Sequence, residues 1–350
     1  MATMKCAVYH GKCDIRIEER EIPAPGPDEV LVKIMACGVC GTDVHIYNGE
    51  PGSTQTVIPL IPGHEFCGII TGRGERVTEL KVGDRVIVDP ADNCGDCYYC
   101  NAGKPAHCEK MRAIGTNADG GFAQYGVFHK RLIHHMADDV SFIEGAMAEP
   151  LGCCINGADR GGVKISDTVL IYGAGPIGLI HVELALLKGA SRVIVVEPVE
   201  GKREMATKLG AAFTIDPVKE CVPEVLKARG VEHVDVVIEC CGRMDTSAQA
   251  VDIVDKQGIV VYFAVPPADG IYKLKAYPIY QKELTIIASY CSPYDMERAA
   301  QMLNTHRIDV TSMLAGTKPL EGLADILSDP NERAKGKWII LPNGPEEKPA

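Results

Sequence analysis

The first 150 residues alternate short apolar stretches with turns rich in Gly and Pro. This pattern predicts short β-strands, because apolar and polar side chains that alternate with period two occupy opposite faces of a strand. The predicted strands cover residues 5–9, 14–18, 29–35 and 85–88, and residues 57–63, which include two prolines, predict a loop. We therefore expect the first part of the chain to form a compact, antiparallel, barrel-like domain.

The pattern changes after Pro150, where buried apolar strands alternate with helical segments. The predicted strands are residues 168–172, 192–197, 213–215, 234–239, 259–263 and 284–288, and the first two predicted helices are residues 177–188 and 202–209. Alternation of this kind favours βαβ units around a parallel sheet. A helix at 294–304 and a strand at 336–341 follow, and the tail 342–350, rich in Pro and Glu, predicts disorder.

Length and composition favour a two-domain protein and argue against nucleic-acid and membrane partners. The chain has 350 residues, which favours two domains, and a formal net charge of -11, which argues against a nucleic-acid partner. The longest apolar stretch, residues 169–187, contains His181, Glu183 and a Gly-rich turn, so it indicates strand–turn–helix and not a membrane partner. With 15 cysteines, an odd number, and no signal-peptide pattern in residues 1–6, we expect reduced thiols and a cytoplasmic location.

Four cysteines lie close together in the sequence. Cys94, Cys97, Cys100 and Cys108 have the spacing C-x2-C-x2-C-x7-C. Four thiolates at such short spacing can surround one tetrahedral ion, and zinc favours this arrangement in closed structural sites. An iron–sulfur cluster and free thiols are the alternatives. A site with no open position stabilises a loop and carries out no chemistry, so we expect a structural zinc here.

A second motif follows the predicted strand 168–172. Gly173, Gly175 and Gly178 give the pattern G-x-G-x-x-G immediately before a predicted helix, which begins near Pro176 and Ile177. On its own the pattern is weak, but after a strand and before a helix it predicts a dinucleotide site. The first glycine makes the turn, the second lets the backbone approach the pyrophosphate, and the third allows close helix–strand packing. The helix N-terminus then offers N–H donors to phosphate.

An acidic residue ends the next predicted strand. Glu197 lies 19 residues after Gly178, where a carboxylate can accept hydrogen bonds from ribose hydroxyls and would repel a 2′-phosphate. This placement favours NAD over NADP. A solvated Glu at a strand end is the alternative, and the neighbouring Lys202 and Arg203 keep NADP open because a basic pair can tolerate phosphate. We include Arg203 among the candidate cofactor-binding residues.

Three further pieces carry a family resemblance. They are Gly-Val-Cys40-Gly-Thr42-Asp43-Val-His45, then Gly63-His64-Glu65, then the four-cysteine segment. In this order the chain resembles the zinc-dependent medium-chain dehydrogenase/reductase superfamily over nearly its whole length, and in particular sorbitol or polyol, threonine and butanediol dehydrogenases. The resemblance implies a GroES-like β-barrel catalytic domain with a structural zinc lobe over residues 1–152. It also implies a Rossmann NAD-binding domain over 153–288 and a return to the catalytic domain over 289–350.

The resemblance also implies a catalytic zinc. Cys40, His64 and Glu149 are its implied ligands, and Glu65 lies in direct contact with the ion or just behind it. Cys153 and Cys154 follow Glu149 too late in the sequence and are interpreted as packing residues. One thiolate, one carboxylate and a neutral imidazole leave the zinc site formally near neutral, which suits a Lewis acid. We expect Glu65 to exchange with water or substrate at the fourth position.

Two more residues of the motif have implied roles in proton transfer. In the implied reaction the alcohol gives hydride to NAD while Thr42 accepts its proton, and His45 passes that proton towards solvent. For Thr42 the alternative is a turn-capping hydroxyl, and for His45 it is that other routes to water exist.

The function implied is zinc-dependent oxidation of a secondary alcohol, a polyol or sugar derivative, to a ketone with NAD. L-Threonine and 2,3-diols are alternative substrates of the same class, because Ser289 stands where sorbitol dehydrogenases carry an Arg and Glu197-Pro198 resembles diol dehydrogenases. An alternative of another class is a non-catalytic regulatory protein that binds NAD and zinc. The family also implies a homodimer or homotetramer, commonly paired through the strand near 284–288.

Overall fold

The computed structural model describes residues 2–50 and 55–345. The chain divides into two compact units, one formed by residues 1–152 and 293–350 and the other by residues 153–292. The functional domain limits expected at 152/153 and 288/289 stay a prediction. No helix among the described residues is long and apolar enough to cross a membrane.

Strands and helices are numbered in chain order. The strands are β1 Thr3–Gly11, β2 Asp14–Glu21, β3 Glu29–Gly38, β4 Glu65–Arg73, β5 Arg85–Val88, β6 Ala91–Asp92, β7 Arg112–Ala113, β8 Tyr125–His129, β9 Ile133–His135, β10 Thr168–Tyr172, β11 Arg192–Val196, β12 Phe213–Ile215, β13 Val236–Glu239, β14 Ile259–Tyr262, β15 Thr285–Ala288, β16 Leu314–Lys318 and β17 Lys337–Ile340. The helices are α1 Gly41–Tyr47, α2 Tyr98–Asn101, α3 Phe142–Gly145, α4 Ala148–Arg160, α5 Pro176–Leu187, α6 Glu200–Lys208, α7 Val222–Ala228, α8 Met244–Ile253, α9 Ala276–Lys282, α10 Met296–Asn304, α11 Leu323–Ser328 and α12 Pro330–Ala334.

A largely antiparallel sheet forms the centre of the first unit. Its strand order is β16-β17-β3-β4-β5-β9, and β8 pairs with β3. Every pair is antiparallel except β16–β17, which is parallel and which the sequence pattern did not predict. The antiparallel character expected for this part of the chain is therefore confirmed, with that one pair as the exception.

The C-terminal end of β3 positions the residues discussed below. The last residue of β3, Gly38, pairs with Glu65 at the start of β4 and with Ile339 of β17. Residues from three distant parts of the sequence consequently meet at one end of the sheet. The strand is buried along this end, since its last five residues, 34–38, are all buried.

The second unit contains a six-stranded parallel sheet. Its order is β12-β11-β10-β13-β14-β15, and every neighbouring pair is parallel. This is the Rossmann order 3-2-1-4-5-6, with β10 as strand 1. The strand order reverses between β10 and β13, although all strands remain parallel. The Rossmann part of the predicted fold class is confirmed. Strands β10 and β12 begin and end at the predicted residues, and α5 begins one residue before the predicted helix.

The first four residues of the C-terminal tail differ from the prediction of disorder over 342–350. Residues 342–345 are described, and Asn343 Nδ2 donates hydrogen bonds to the carbonyl oxygens of Ile34 and Gln124, at 2.8 Å each. These bonds attach the described part of the tail to β3 and to Gln124, an interaction that composition does not indicate. Residues 346–350 lie outside the described part of the chain.

Candidate metal centres and dinucleotide site

The four predicted thiolates of the first cluster lie together. The Sγ atoms of Cys94, Cys97, Cys100 and Cys108 are all within 4.8 Å of one another. Cys94 Sγ lies 3.5 Å from Cys108 Sγ and 4.0 Å from Cys100 Sγ. A tetrahedral zinc with Zn–S bonds of about 2.3 Å requires S···S separations of about 3.8 Å. The separations in this cluster fit that requirement.

Backbone donors also point at this cluster. The N–H of Cys94 donates to Cys108 Sγ at 3.3 Å. Hydrogen bonds from the backbone of Cys100 and Glu109 lower the pKa of Cys97 to about 6. Donors of this kind stabilise the thiolate, the form that binds metal. The donor set therefore fits a closed structural zinc.

The second cluster unites three of the four predicted ligands. The donor atoms of Cys40, His64 and Glu65 lie within 4.8 Å of one another. Cys40 follows β3 and is the N-cap of α1, whereas His64 and Glu65 mark the start of β4. Glu149, near the start of α4, is half-buried and does not belong to this group. A thiolate, an imidazole and a carboxylate form a suitable zinc donor set with a position left open.

Asp43 is a residue that the sequence reasoning did not select. Its Oδ2 accepts the N–H of Cys40 at 2.9 Å, and its Oδ1 lies 3.6 Å from His64 Nδ1. Both Oδ1 and Nδ1 are buried and make no hydrogen bond among the described residues. Burial alone would lower the pKa of His64, but the charges of Asp43 and Cys40 raise it well above its ordinary value. The electrostatic potential at the site is therefore negative. Nδ1 of His64 faces Asp43, so Nε2 is the nitrogen available to a metal.

Lys337 is the second residue that was missed. Its Nζ forms an ion pair with Glu65 Oε2, and both side chains are almost fully buried. Burial would lower the pKa of Lys337, but Glu65 and Cys40 raise it above its ordinary value. No local sequence signal marks this residue, which lies 272 positions after Glu65. Asp43 forms a capping box with Cys40 in the structure, but Cys and Asp are not the Ser/Thr and Glu/Gln that mark this motif in a sequence.

The structure also locates the two residues of the expected proton path. Thr42 Oγ1 lies 3.8 Å from Cys40 Sγ, in the first turn of α1. His45, in the same helix, contacts Glu50 Oε2 through Nδ1 at 2.5 Å, and its side chain is 44% exposed. A hydroxyl beside the metal cluster and an imidazole open to solvent suit the two ends of a proton path. The relay itself stays a prediction.

The glycine motif has the geometry expected of a dinucleotide turn. Gly173 has φ +96°, a left-handed conformation that favours glycine, and a Cβ at Gly178 would lie 2.0 Å from the carbonyl oxygen of Gly173. A Cβ at Gly175 would meet open space, so the backbone there is accessible. Gly175 is also the N-cap of α5, whose first residues are Pro176 and Ile177. The free N–H groups of the first turn of α5 therefore point towards the glycine turn, where a phosphate can accept them.

Glu197 lies beside the turn. Its Oε2 accepts the N–H of Ala174 at 2.8 Å and its Oε1 accepts the N–H of Val199 at 2.9 Å. A carboxylate offers about four acceptor positions, so two remain for ribose hydroxyls. Arg203 instead donates to the carbonyl oxygens of Glu197 and Pro198, and pairs with Asp216 at 3.4 Å. The guanidinium is already engaged, so it is poorly placed to bind a 2′-phosphate.

Comparison with known proteins agrees with this geometry. The sequence matches the Alcohol dehydrogenase GroES-like domain over residues 26–138 and Zinc-binding dehydrogenase over residues 176–305. D-arabinitol dehydrogenase 1 of Uromyces fabae is 31% identical over 349 residues, 98% of this chain and 98% of its own. L-threonine 3-dehydrogenase of Pyrococcus furiosus is 35% identical over 269 residues, 76% of each chain. The chain belongs to the zinc-binding alcohol dehydrogenase family.

A solved structure resembles this chain in fold over nearly its whole length. A zinc-binding dehydrogenase from Sinorhizobium meliloti, bound to NADP, has a TM-score of 0.94 and 35% identity, and covers 98% of this chain and 100% of its own. The family, the fold class and the cofactors expected from the sequence are thereby confirmed. The protein is a zinc-dependent oxidoreductase that oxidises a secondary alcohol with a nicotinamide dinucleotide.

Proposed function

We propose that the chain oxidises a polyol or sugar derivative at a secondary hydroxyl, with NAD as acceptor and Cys40, His64 and a carboxylate as ligands of the catalytic zinc. The observation that carries the proposal is the cluster of Cys40, His64 and Glu65, with Asp43 behind the imidazole. The likeness to D-arabinitol dehydrogenase 1 supports the polyol class. This carboxylate is either Glu65 or Glu149, which the family resemblance implies as candidate ligands.

The chemistry divides among the residues as follows. Zinc, when bound, polarises the alcohol and lowers the pKa of its hydroxyl group. Asp43 holds His64 in the tautomer that presents Nε2, because its carboxylate faces Nδ1. Thr42 accepts the proton that the alcohol loses, and His45 passes it to solvent. Glu197 holds the adenosine ribose, while the backbone from Gly173 to Gly178 and the start of α5 bind the pyrophosphate.

NAD preference over NADP follows from the charge at the ribose end. Glu197 and Asp216 are both almost fully buried carboxylates, and Arg203 is already paired with Asp216. A 2′-phosphate would place further negative charge beside the carboxylate of Glu197. Because the Sinorhizobium meliloti relative is bound to NADP, the kinetic comparison of the two dinucleotides is a direct test. Equal catalytic efficiency with NADP would reject the preference.

We also propose a homodimer or homotetramer, paired through β15. This strand lies at the edge of the six-stranded sheet, and large apolar side chains nearby are exposed, among them Tyr277 at 68% and Tyr280 at 81%. An edge strand with exposed aromatic neighbours is a suitable surface for a second copy. Light scattering would give the mass. A cytoplasmic location stays a prediction from the sequence.

The decisive experiment is the rate of NADH formation over a substrate panel. The panel contains polyols, sugar phosphates, vicinal diols, simple alcohols and L-threonine, each with and without a chelator. We expect chelator-sensitive turnover that is fastest with a polyol or sugar derivative. Faster turnover of L-threonine or a 2,3-diol would favour the alternative substrates, and L-threonine has support from the Pyrococcus furiosus relative. Binding of zinc and NAD without any turnover would favour a regulatory protein.

A further inference from the structure

The pairing of β17 with β3 places Lys337 beside the Cys40 cluster. It opens β17, in which Ile339 pairs with Gly38 and Ile340 pairs with Cys37. Glu65 pairs with the other edge of Gly38. The ammonium and the carboxylate therefore meet across the end of β3, with side-chain exposures of only 8% and 1%.

A buried ammonium is costly unless anions surround it. The ion pair with Glu65 supplies such an anion. Space for the pair depends on Gly38, because a Cβ there would lie 2.2 Å from Glu65 Oε2 and 3.1 Å from Lys337 Cε. The ion pair therefore needs a glycine at position 38.

The same carboxylate is a donor in the metal cluster. Glu65 lies within 4.8 Å of the donor atoms of both Cys40 and His64. It is thus shared between two cations, the zinc of the proposed site and the ammonium of Lys337. If Glu149 is the third ligand, Glu65 bound to the zinc as well would occupy the position that an alcohol needs, and would make the site more negative and a weaker Lewis acid.

We propose that Lys337 is a positioning residue that draws Glu65 away from the catalytic zinc and so keeps one coordination position open for the alcohol. This inference rests on the proposed function, because it requires zinc at the Cys40 cluster with Glu149 as the third ligand. Without the ammonium, Glu65 has no competing cation and stays on the metal. Loss of Lys337 should therefore tighten the hold on zinc while it slows turnover. A lysine with a purely structural role would have the opposite effect on zinc, since its loss would loosen the site.

The first test follows zinc release from the holoenzyme into a chromogenic chelator. In Lys337→Met we expect release from the Cys40 site to slow by about tenfold, the lower end of the range for residues behind metal ligands. Release from the four-cysteine cluster is the internal reference and should not change. Lys337→Arg, the matched control, keeps the charge and should release zinc at nearly the native rate. Release from Lys337→Met at the native rate or faster would overturn the proposal.

A double-mutant comparison separates competition from simple charge repulsion. Removal of an ammonium near a dication tightens zinc binding even if Glu65 never moves. In a Glu65→Gln background, where the side chain is a poor ligand, only that charge effect survives. We expect Lys337→Met to slow zinc release much less in this background than in the native one. An equal effect in both backgrounds would reject the role of Glu65.

A second probe covers the case in which Lys337→Met does not fold. Co²⁺ exchanged into the Cys40 site reports binding of imidazole through its d–d absorption. If Lys337 keeps the position open, native protein and Glu65→Gln should bind imidazole with equal affinity. Binding that is tenfold or more tighter in Glu65→Gln would mean that Glu65 already occupies the position, and the proposal would be wrong. If the native chain holds only the four-cysteine metal, the proposed function itself fails instead.

Discussion

The two cysteine-containing clusters differ in how their donors are assembled. The Cys94 cluster draws four thiolates from 15 consecutive residues, and backbone N–H groups point at its sulfur atoms. The Cys40 cluster draws its donors from the N-cap of α1 and the start of β4, and buried polar atoms of Asp43, His64 and Glu65 have no hydrogen bond within the part of the chain that the structure describes. A closed set of identical ligands suits a structural ion, whereas mixed ligands with unsatisfied neighbours suit a site that exchanges ligands.

Loss of the structural ion should give the largest change in stability. In Cys97→Ser we expect one zinc per chain to be lost and Tm to fall by about 10 °C, because structural zinc contributes folding free energy directly. Metal analysis and calorimetry measure the two effects. Cys221→Ser, an exposed cysteine outside both clusters, is the control and should keep both ions. A chain that contains at most one zinc before mutation would contradict the comparison.

Cys40→Ser should have the reverse profile. The second zinc and nearly all activity should be lost, with kcat/KM reduced by about a thousandfold or more, because the metal supplies several kcal/mol of transition-state stabilisation. The four-cysteine ion should stay, and Tm should change less than in Cys97→Ser. If both variants lost the same ion, or the same fraction of activity, the functional separation of the two clusters would be wrong.

Thr42→Val tests the proton path beside the open cluster. The valine keeps the shape of the threonine but removes the hydroxyl that lies 3.8 Å from Cys40 Sγ. General acid–base catalysis contributes about 10²- to 10⁴-fold, so we expect kcat to fall by roughly a hundredfold while both zinc ions are retained. Turnover at the native rate would exclude Thr42 from the relay.

Asp43→Asn should weaken the Cys40 site without emptying the other one. The amide cannot supply the charge that faces His64 Nδ1, and residues behind metal ligands typically affect metal affinity by about 10- to 100-fold. Competition with a chelator measures the change. Asp84→Asn is a matched control, because Asp84 also accepts a backbone N–H, that of Lys81, but is not part of either cluster. Equal zinc affinity in Asp43→Asn and native protein would remove Asp43 from the site.

The sequence predicted the local features well and the distant ones poorly. Alternation of strands and helices gave the parallel sheet, and the 15-residue cysteine segment gave the closed cluster, because both signals lie within short stretches. The parallel β16–β17 pair and Lys337 depend on which strands meet in space, which no local pattern encodes. Glu149, which the family resemblance implies as a ligand, lies outside the group of Cys40, His64 and Glu65, and its role as a ligand stays a prediction.

A second buried histidine shows that burial alone does not make a metal ligand. His181 in α5 is fully buried, stacks edge-on against Phe263 with ring centroids 4.7 Å apart, and makes no hydrogen bond with either nitrogen among the described residues. Burial lowers its pKa from 6.5 to about 3, whereas the anions around His64 raise that residue's pKa. The difference between the two histidines therefore lies in their charged neighbours.

His181 should make the protein less stable in mild acid. Below pH 6.5 His181 is protonated in the unfolded chain, whereas in the folded chain it stays neutral down to about pH 3. The contribution of neutral His181 to the free energy of unfolding is therefore fully present above pH 6.5 and is lost as the pH falls. At pH 5 this loss is about 2 kcal/mol. His181→Leu removes the titrating group and should flatten the pH dependence of urea unfolding between pH 5 and 7 by that amount. Native and variant curves that stay parallel over this range would mean that His181 is protonated, or hydrated, in the folded protein.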